Sequence, residues 1–266
     1  MAENSKIEWT NHTVNLWWGC AKVHTGCKNC YAEHLSDVRY KNNLWGENAG
    51  RKLIKSAFSD LDKYQKQAES ENKLVKVFCG SMMDILEETK PLINPTSEFE
   101  ETDNLRQKLF ETKRPWNIKY LVSSKWNNEP PANVWFGTSI SDQKTANENV
   151  PWLLKFPGKK FLSIEPQIGE VDLTRIDGNY TTTEFCLVNC LNGTQTDMGR
   201  PCCNTRTIDW VIQGGESGHN KRKFDVEWAN TISKQCSDFG VPYFFKQIDK
   251  IQPIPESLNI KQFPNF

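Results

Sequence analysis

The residues whose type and spacing best fit a chemical role are three cysteines near the start of the chain. Cys20, Cys27 and Cys30 have the spacing C-x6-C-x2-C and are three of the nine cysteines present. Thiolates are soft ligands, so a close triplet suits zinc or an iron–sulfur cluster far better than a hard cation. A structural zinc site takes a fourth protein ligand, whereas three ligands leave one position open. The triplet therefore predicts a metal centre that can bind a further molecule.

A structural zinc site is the alternative interpretation of the triplet. The fourth ligand would then come from His24 or His34. His24 lies inside the loop between Cys20 and Cys27, where chelation together with Cys27 is awkward. On spacing alone both interpretations stay open.

Strand-like and helical patterns alternate along the chain, and these elements must position the triplet. Short apolar runs predict seven strands, which are Val14–Trp18, Leu74–Cys79, Ile118–Val122, Val134–Ile140, Lys160–Ile164, Trp210–Gln213 and Tyr243–Lys246. Helical patterns occupy other segments, which are Tyr31–Tyr40, Phe58–Ser70, Ser97–Thr112, Asp142–Phe156 and Val226–Phe239. Such alternation is typical of parallel βα units.

Polar residues and glycines stand at the ends of the predicted strands. They are Cys20, Gly80, Ser81, Ser123, Ser124, Lys125, Thr138, Ser139, Glu165, Pro166, Gly214, Gly215, Glu216, Lys246 and Gln247. In a βα barrel the carboxyl ends of the strands converge on one face, where ligands bind. We therefore expect an α/β fold that is a full or partial TIM-like barrel of parallel strands, forming one domain over residues 1–266.

An insert is expected between the fifth and sixth predicted strands, at about residues 178–206. It contains Cys186, Cys190, Cys202 and Cys203, with the spacing C-x3-C-x11-C-C. Four cysteines this close could form a zinc site or a second cluster. Adjacent cysteines rarely bind one ion together, and neither half has the C-x2-C spacing of zinc ribbons. A possible second metal site and ordinary thiols are both open interpretations.

Several motifs, in order along nearly the whole chain, resemble a phage-associated family of unassigned function with the same C-x6-C-x2-C triplet. They are Ser5–Thr10, Gly19–Cys20, Gly26–Glu33, Cys79–Asp84, Asn133–Ser139, Phe161–Pro166, Asp209–Gly218 and Phe244–Gln247. That family is similar to radical S-adenosylmethionine (SAM) enzymes, whose barrel agrees with the expected fold. Their commonest spacing, C-x3-C-x2-C, is not present here.

The resemblance implies that Cys20, Cys27 and Cys30 each bind one iron of a [4Fe–4S] cluster. The fourth iron would bind SAM, and reduction would release a 5'-deoxyadenosyl radical that takes hydrogen from a substrate. An electron donor such as a flavodoxin or ferredoxin is implied as a partner. The best expectation for the substrate is a nucleobase, nucleotide or nucleic acid.

Strand-end residues are the candidates for contacts to SAM or substrate. For cofactor binding they are Ser81, Asp84, Thr138, Ser139, Gly214, Gly215, Glu216 and Ser217. Glu165 and Lys246 are the candidate catalytic residues. Each charged residue alone could instead form a structural ion pair.

Two basic clusters bear on the choice of partner. Arg39, Lys41, Arg51, Lys52 and Lys55 lie close together with one acid among them, and Lys221, Arg222 and Lys223 are consecutive. Short clusters of this kind form either a solvated loop or an anion-binding surface. They support an alternative function, a non-catalytic metal-stabilised module that binds nucleic acid or a protein.

Composition excludes further classes. Lys plus Arg equals Asp plus Glu at 33, so the formal net charge is zero, which argues against a generally basic nucleic-acid-binding protein. Only four histidines are present, none in a metallohydrolase pattern. The sequence shows neither an apolar run of membrane-spanning length nor a signal-peptide pattern. We expect a cytoplasmic protein with no membrane partner.

Overall fold

The computed structural model describes residues 4–85, 87–111, 130, 132–178, 186–197, 199–218 and 220–265. The chain forms two compact units. The first comprises Met1–Val23 and Cys30–Asn117, and the second comprises His24–Asn29 and Ile118–Phe266. Compact units need not fold independently, so the expectation of one domain over 1–266 stays a prediction.

The first unit is built from short strands and α-helices. Its strands are β1 His12–Val14, β2 Trp17–Trp18, β3 Lys52–Leu53 and β4 Val77–Cys79. Its helices are α1 Tyr31–Glu33, α2 Ala57–Glu71 and α3 Thr102–Glu111, with a π-helical segment, His34–Arg39, following α1. β1 pairs in parallel with β4, and β2 pairs antiparallel with β3.

Helix α2 covers the core of the first unit with one apolar face. Ala57 and Tyr64 are buried and Leu61 packs against the same core, a spacing that places all three on one side of the helix. They pack in a cluster with the buried strand residues Val14 and Leu53. The helix ends where Asn72 adopts a left-handed conformation that caps the last turn.

The second unit contains two sheets and two described helices. Its strands are β5 Trp135–Ile140, β6 Lys159–Ile164, β7 Ile176–Asp177, β8 Cys186–Val188, β9 Thr194–Asp197, β10 Arg200–Asn204, β11 Trp210–Gly214 and β12 Tyr243–Gln247. Its helices are α4 Gln143–Leu154 and α5 Val226–Asp238. One sheet is parallel, in the order β12-β11-β6-β5, and α4 and α5 each connect two of its strands. The carboxyl ends of these four strands therefore lie along one edge, called here the carboxyl edge.

The other sheet of the second unit is antiparallel, in the order β10-β9-β8-β7. It spans Ile176–Asn204 and so takes up most of the expected insert. Turns with positive-φ glycines, Gly193 and Gly199, border β9 on either side.

The expected TIM-like barrel is wrong. The described strands form four separate sheets, two of them with antiparallel pairing, and the described part of the chain has five α-helices. The expectation took every strand followed by polar residues to belong to one parallel array. Four strands do form such an array, but among the described strands β1 and β4 pair only with each other, and β7 to β10 form an antiparallel sheet.

Most individual elements are confirmed, even though their assembly differs. The predicted strand Val14–Trp18 is instead two short strands, β1 and β2, which belong to different sheets. The predicted helices correspond to the π-helical region after Cys30 and to α2, α3, α4 and α5, with ends that differ by up to five residues. The predicted strand Ile118–Val122 and the polar residues 123–125 after it lie outside the described residues. None of the helices in the described part of the chain is long and apolar enough to span a membrane.

Candidate functional site

The three cysteines of the triplet are distributed over both units. Cys20 and Cys30 belong to the first unit and Cys27 to the second, and all three are half-buried. Across the described residues no group of three or more His, Cys, Asp or Glu side chains is placed to hold a metal ion. The arrangement of the triplet around a metal therefore stays a prediction.

In the first unit, Cys20 and Cys30 are both linked to the segment that follows β4. Gly19, which precedes Cys20, forms a parallel bridge with Met83, and its amide donates to the Met82 carbonyl over 3.1 Å. Tyr31, which follows Cys30, donates from its hydroxyl to the carbonyl of Ser81 over 2.7 Å. The structure thus brings Ser81 close to the residues that adjoin these two cysteines.

Asn15 fixes the conformation of this segment. Its side-chain amide donates to Ser81 Oγ over 2.9 Å, and its oxygen accepts from the Met82 amide over 2.7 Å. Asn15 is buried, so both hydrogen bonds are shielded from water. Asp84 follows in the same segment and is half-buried.

In the second unit, Cys27 lies on a short 3-10 turn within His24–Asn29, called here the Cys27 segment. His24 caps this turn, because its Nδ1 accepts from the Gly26 amide over 3.1 Å. The hydrogen bond between His24 and the Cys27 thiol raises the pKa of the imidazole above its ordinary value, against the opposing effect of partial burial. The nearby carboxylate of Asp142 acts in the same direction as the thiol.

The Cys27 segment packs on the carboxyl edge of the parallel sheet. Thr25 Oγ1 donates to Asp142 Oδ2 over 3.3 Å, at the residue that caps α4 just after β5. Asn29 Nδ2 donates to Glu216 Oε2 over 3.1 Å, just after β11. Both contacts join a segment of the triplet to the edge where ligands bind in α/β sheets.

Gly26 and Ser141 pack closely against each other at this edge. A Cβ on Gly26 would lie 2.0 Å from Ser141 Oγ, so only glycine allows the segment to approach so closely. Ser141 is fully buried, and among the described residues its hydroxyl has no hydrogen-bond partner. A buried hydroxyl without a partner among the described residues can be satisfied by an ordered water or by a bound molecule.

Glu216 is buried in a dense set of hydrogen bonds. Arg222 donates from its backbone amide to Oε2 over 2.6 Å and from Nε to Oε1 over 3.0 Å. Its terminal nitrogen Nη2 also donates to Oε1. Burial on its own raises the pKa of Glu216, but the hydrogen bonds from Arg222 and Asn29 outweigh it and hold the pKa below its ordinary value. Glu216 is thus held as a carboxylate whose two oxygens are already bound by protein donors.

Glu165 and Lys246, the candidate catalytic residues, form an ion pair. Lys246 Nζ lies 2.5 Å from Glu165 Oε1, and both side chains are mostly buried, with 17% and 19% exposed. Lys246 is on β12 and Glu165 follows β6, so the pair spans the end of β11, which lies between these strands.

The remaining candidates differ in how well their positions suit ligand contact. Thr138 and Ser139 lie inside β5, which continues to Ile140. Gly215 is required by packing, since a Cβ there would lie 2.1 Å from the Ile248 carbonyl. Gly214 is buried within the end of β11, while Ser217 is half-buried beyond it.

Two cysteines of the insert, Cys186 and Cys203, lie near the same glutamine. Cys203 lies 2.6 Å and Cys186 4.0 Å from the same oxygen of Gln195. Cys190 is fully buried and interacts electrostatically with Cys236; burial raises the pKa of the Cys190 thiol, and that of Cys236 to about 12. The side chain of Cys202 lies outside the described residues. A second metal site in the insert stays a prediction.

The basic clusters are partly neutralised. Arg51 is fully buried and paired with Glu87, so it is not part of an anion-binding surface. Lys221 pairs with Asp249 over 2.9 Å, and Arg222 pairs with Glu216. The exposed members of the first cluster include Arg39, Lys41 and Lys55.

The sequence analysis missed three residues at this site, which are Asn29, Ser141 and Asp142. It named Arg222 as part of a basic cluster but missed its pairing with Glu216. Asp142 could have been found, because its spacing from Thr145 matches a helix capping box. Asn29 and Arg222 are 193 positions apart, and no local pattern links them.

Fold and site together define a mixed α/β protein with a cysteine-bearing turn on the carboxyl edge of a parallel sheet. The chain belongs to the DUF5131 family, which is described as 'Protein of unknown function' and whose family model matches residues 4–259. No curated protein and no solved structure matches the chain. The resemblance to phage-associated proteins and to radical SAM enzymes stays a prediction.

Proposed function

We propose that this protein is a radical SAM enzyme in which Cys20, Cys27 and Cys30 hold a [4Fe–4S] cluster. The donor set fits, because thiolates are the usual ligands of such clusters and three of them leave one iron for SAM. When bound, the cluster supplies the electron that cleaves SAM to methionine and a 5'-deoxyadenosyl radical. The proposal does not require a closed barrel.

The observation that supports this proposal best is the packing of the Cys27 segment on the carboxyl edge. Thr25 and Asn29 anchor the segment to the residues after β5 and β11. A cofactor held by Cys27 would therefore lie beside the strand ends of an α/β sheet, where such proteins bind their ligands.

Glu165 and Lys246 are proposed to bind the amino-acid part of SAM or a charged group of the substrate. A carboxylate can bind an ammonium and an ammonium a carboxylate, and SAM carries both groups. Binding would replace the ion pair between Glu165 and Lys246 with two new ion pairs, so neither charge would be left buried and alone.

The substrate is proposed to be a nucleobase, nucleotide or nucleic acid. Pairing of Arg51, Lys221 and Arg222 with acids removes three cations from the basic clusters. Affinity for a long nucleic acid depends on many cations that contact its phosphates, so the loss of these three favours a nucleobase or nucleotide. A flavodoxin or ferredoxin is proposed as the electron donor and the cytoplasm as the location.

Release of 5'-deoxyadenosine tests the proposal directly. Protein reconstituted with iron and sulfide under anaerobic conditions, then reduced with dithionite and given SAM, should release 5'-deoxyadenosine slowly. Nucleosides, nucleotides and short RNA or DNA, added separately, should show which class speeds the release. Cys27→Ser provides the matched control, since it should release none.

Two outcomes contradict the proposal in different ways. If wild-type protein acquires a full cluster but neither binds nor cleaves SAM, the enzyme proposal fails. If it acquires zinc and no cluster, the triplet is structural, and the alternative of a binding module gains support.

A further inference from the structure

We infer that Glu216 is a positioning residue that anchors the Cys27 segment to the carboxyl edge, and not a residue that contacts SAM. This inference rests on the proposed function in one respect, because it concerns how the protein holds a proposed cluster ligand. The anchor itself is a contact within the second unit and can be tested without metal.

The first argument is that the carboxylate of Glu216 has no room for a ligand. Arg222 binds both oxygens, through its amide on one and its guanidinium on the other, and Asn29 adds a donor. The side chain is only 3% exposed. An ammonium group of SAM would have to displace a charge-assisted hydrogen bond, and such bonds are among the strongest in proteins.

The second argument is that the same network holds the Cys27 segment at both ends. At its end, Asn29 Nδ2 donates to Glu216 and to the Asn220 carbonyl, over 3.1 and 3.0 Å. Near its start, Arg222 donates from its guanidinium to the Thr25 carbonyl over 3.0 Å. Glu216 orients Arg222 as well as Asn29, so one buried carboxylate fixes the residues on either side of Cys27.

The third argument is that the network is local. Lys221, next to Arg222, pairs with Asp249 near the end of β12 and not with the Cys27 segment. Removing Lys221 perturbs the same loop without touching the anchor. It therefore provides a matched control for Glu216.

Hydrogen exchange of the protein as purified, without added metal, tests the anchor. In Glu216→Gln the amides of the Cys27 segment should exchange about tenfold faster or more, because a charge-assisted network has been lost. Amides of β6 and α5 should exchange faster only as far as the lower free energy of unfolding of the variant requires, and those of the segment faster than that. Lys221→Ala should leave the segment within about twofold of wild type. A purely global loss of stability would speed exchange in the segment and in β6 and α5 to the same extent.

Iron content after anaerobic reconstitution gives the second measurement. Glu216→Gln should bind less than half the iron of wild type, whereas replacing a residue that contacts only SAM would leave iron content unchanged.

If wild type binds no iron, the proposed function fails, but the exchange measurement still decides whether Glu216 anchors the segment. If Glu216→Gln does not fold, Asn29→Ala, which keeps the pair of Glu216 with Arg222, should still speed exchange of the segment several-fold. Unchanged exchange in the Cys27 segment of whichever variant folds would overturn the inference.

Discussion

Arg51 Nε lies 2.7 Å from Glu87 Oε1, and a terminal nitrogen of Arg51 lies 2.6 Å from Glu87 Oε2. The two side chains are 0% and 7% exposed, so this is a buried, two-point ion pair. Arg51 also donates to the Ala49 carbonyl over 2.6 Å, and Glu87 accepts from Trp17 Nε1 over 2.9 Å. The pair joins the loop before β3 to the core of the first unit.

Replacing Arg51 should destabilise the protein strongly. Arg51→Ala leaves the Glu87 carboxylate buried without its partner, which costs about 3–5 kcal/mol in the free energy of unfolding. Lys55→Ala removes an exposed cation from the same basic cluster and should change it by less than about 0.5 kcal/mol. Urea unfolding followed by tryptophan fluorescence measures both. Equal effects of the two variants would contradict a structural role for Arg51.

The triplet makes a second prediction, on iron content. Wild type should hold about four irons and four sulfides after anaerobic reconstitution, and Cys20→Ser, Cys27→Ser and Cys30→Ser should each lose them. Cys236→Ser changes a buried cysteine of α5, outside both cysteine groups, and should keep the full amount. Iron and sulfide assays decide the matter. Full loading in all three triplet variants is incompatible with the assignment.

The local elements could be predicted from the sequence, because their signals are local. The alternation of apolar runs with amphipathic segments predicted the bounds of β5, β6, β11 and β12 to within one residue. It also gave the parallel order of two βα units, since strand, helix and strand follow one another. The strand ends Glu165, Gly214 and Lys246 accordingly lie on one edge, as expected.

The assembly of sheets could not be predicted, because it depends on which strands pair over long distances. The strands β7 to β10 form an antiparallel sheet, and each has only two to five residues, too few to stand out in the sequence. The burial of Arg51 was missed for a similar reason: its partner, Glu87, is 36 positions away. A basic cluster in sequence can contain both exposed and buried cations.

The third prediction concerns how the free energy of unfolding changes as the pH falls below 7. The pKa of Glu216 lies below its ordinary value of 4.5, so the folded state favours the carboxylate more than the unfolded state does. Its stabilising contribution is therefore full above about pH 4.5 and is lost as the pH falls further, toward the lowered pKa. Urea unfolding from pH 7 to pH 3.5 should show this loss.

Glu216→Gln should change both the level and the slope of that profile. At pH 7 the variant should be less stable by about 1.5–3 kcal/mol, because hydrogen bonds to a charged group are lost. Below pH 4.5 its stability should fall less steeply than that of wild type. Some slope should remain, since hydrogen bonds from Thr145 and Thr25 also lower the pKa of Asp142 against the effect of burial. Parallel acid profiles for variant and wild type would show that Glu216 is not the group responsible.

The last prediction separates a structural from a catalytic role for Glu165 and Lys246. Glu165→Gln and Lys246→Met each leave one partly buried charge without its partner, so each should lower stability by about 1–3 kcal/mol. The double exchange, Glu165→Lys with Lys246→Glu, restores opposite charges across the end of β11 and should recover much of that loss. It should not recover SAM cleavage, because a ligand would then meet each charge in the wrong position. Iron content should stay at the wild-type level in all of these variants, since the described hydrogen bonds that hold the Cys27 segment involve neither residue. Recovery of both stability and SAM cleavage in the double exchange would mean that the pair only supports the fold.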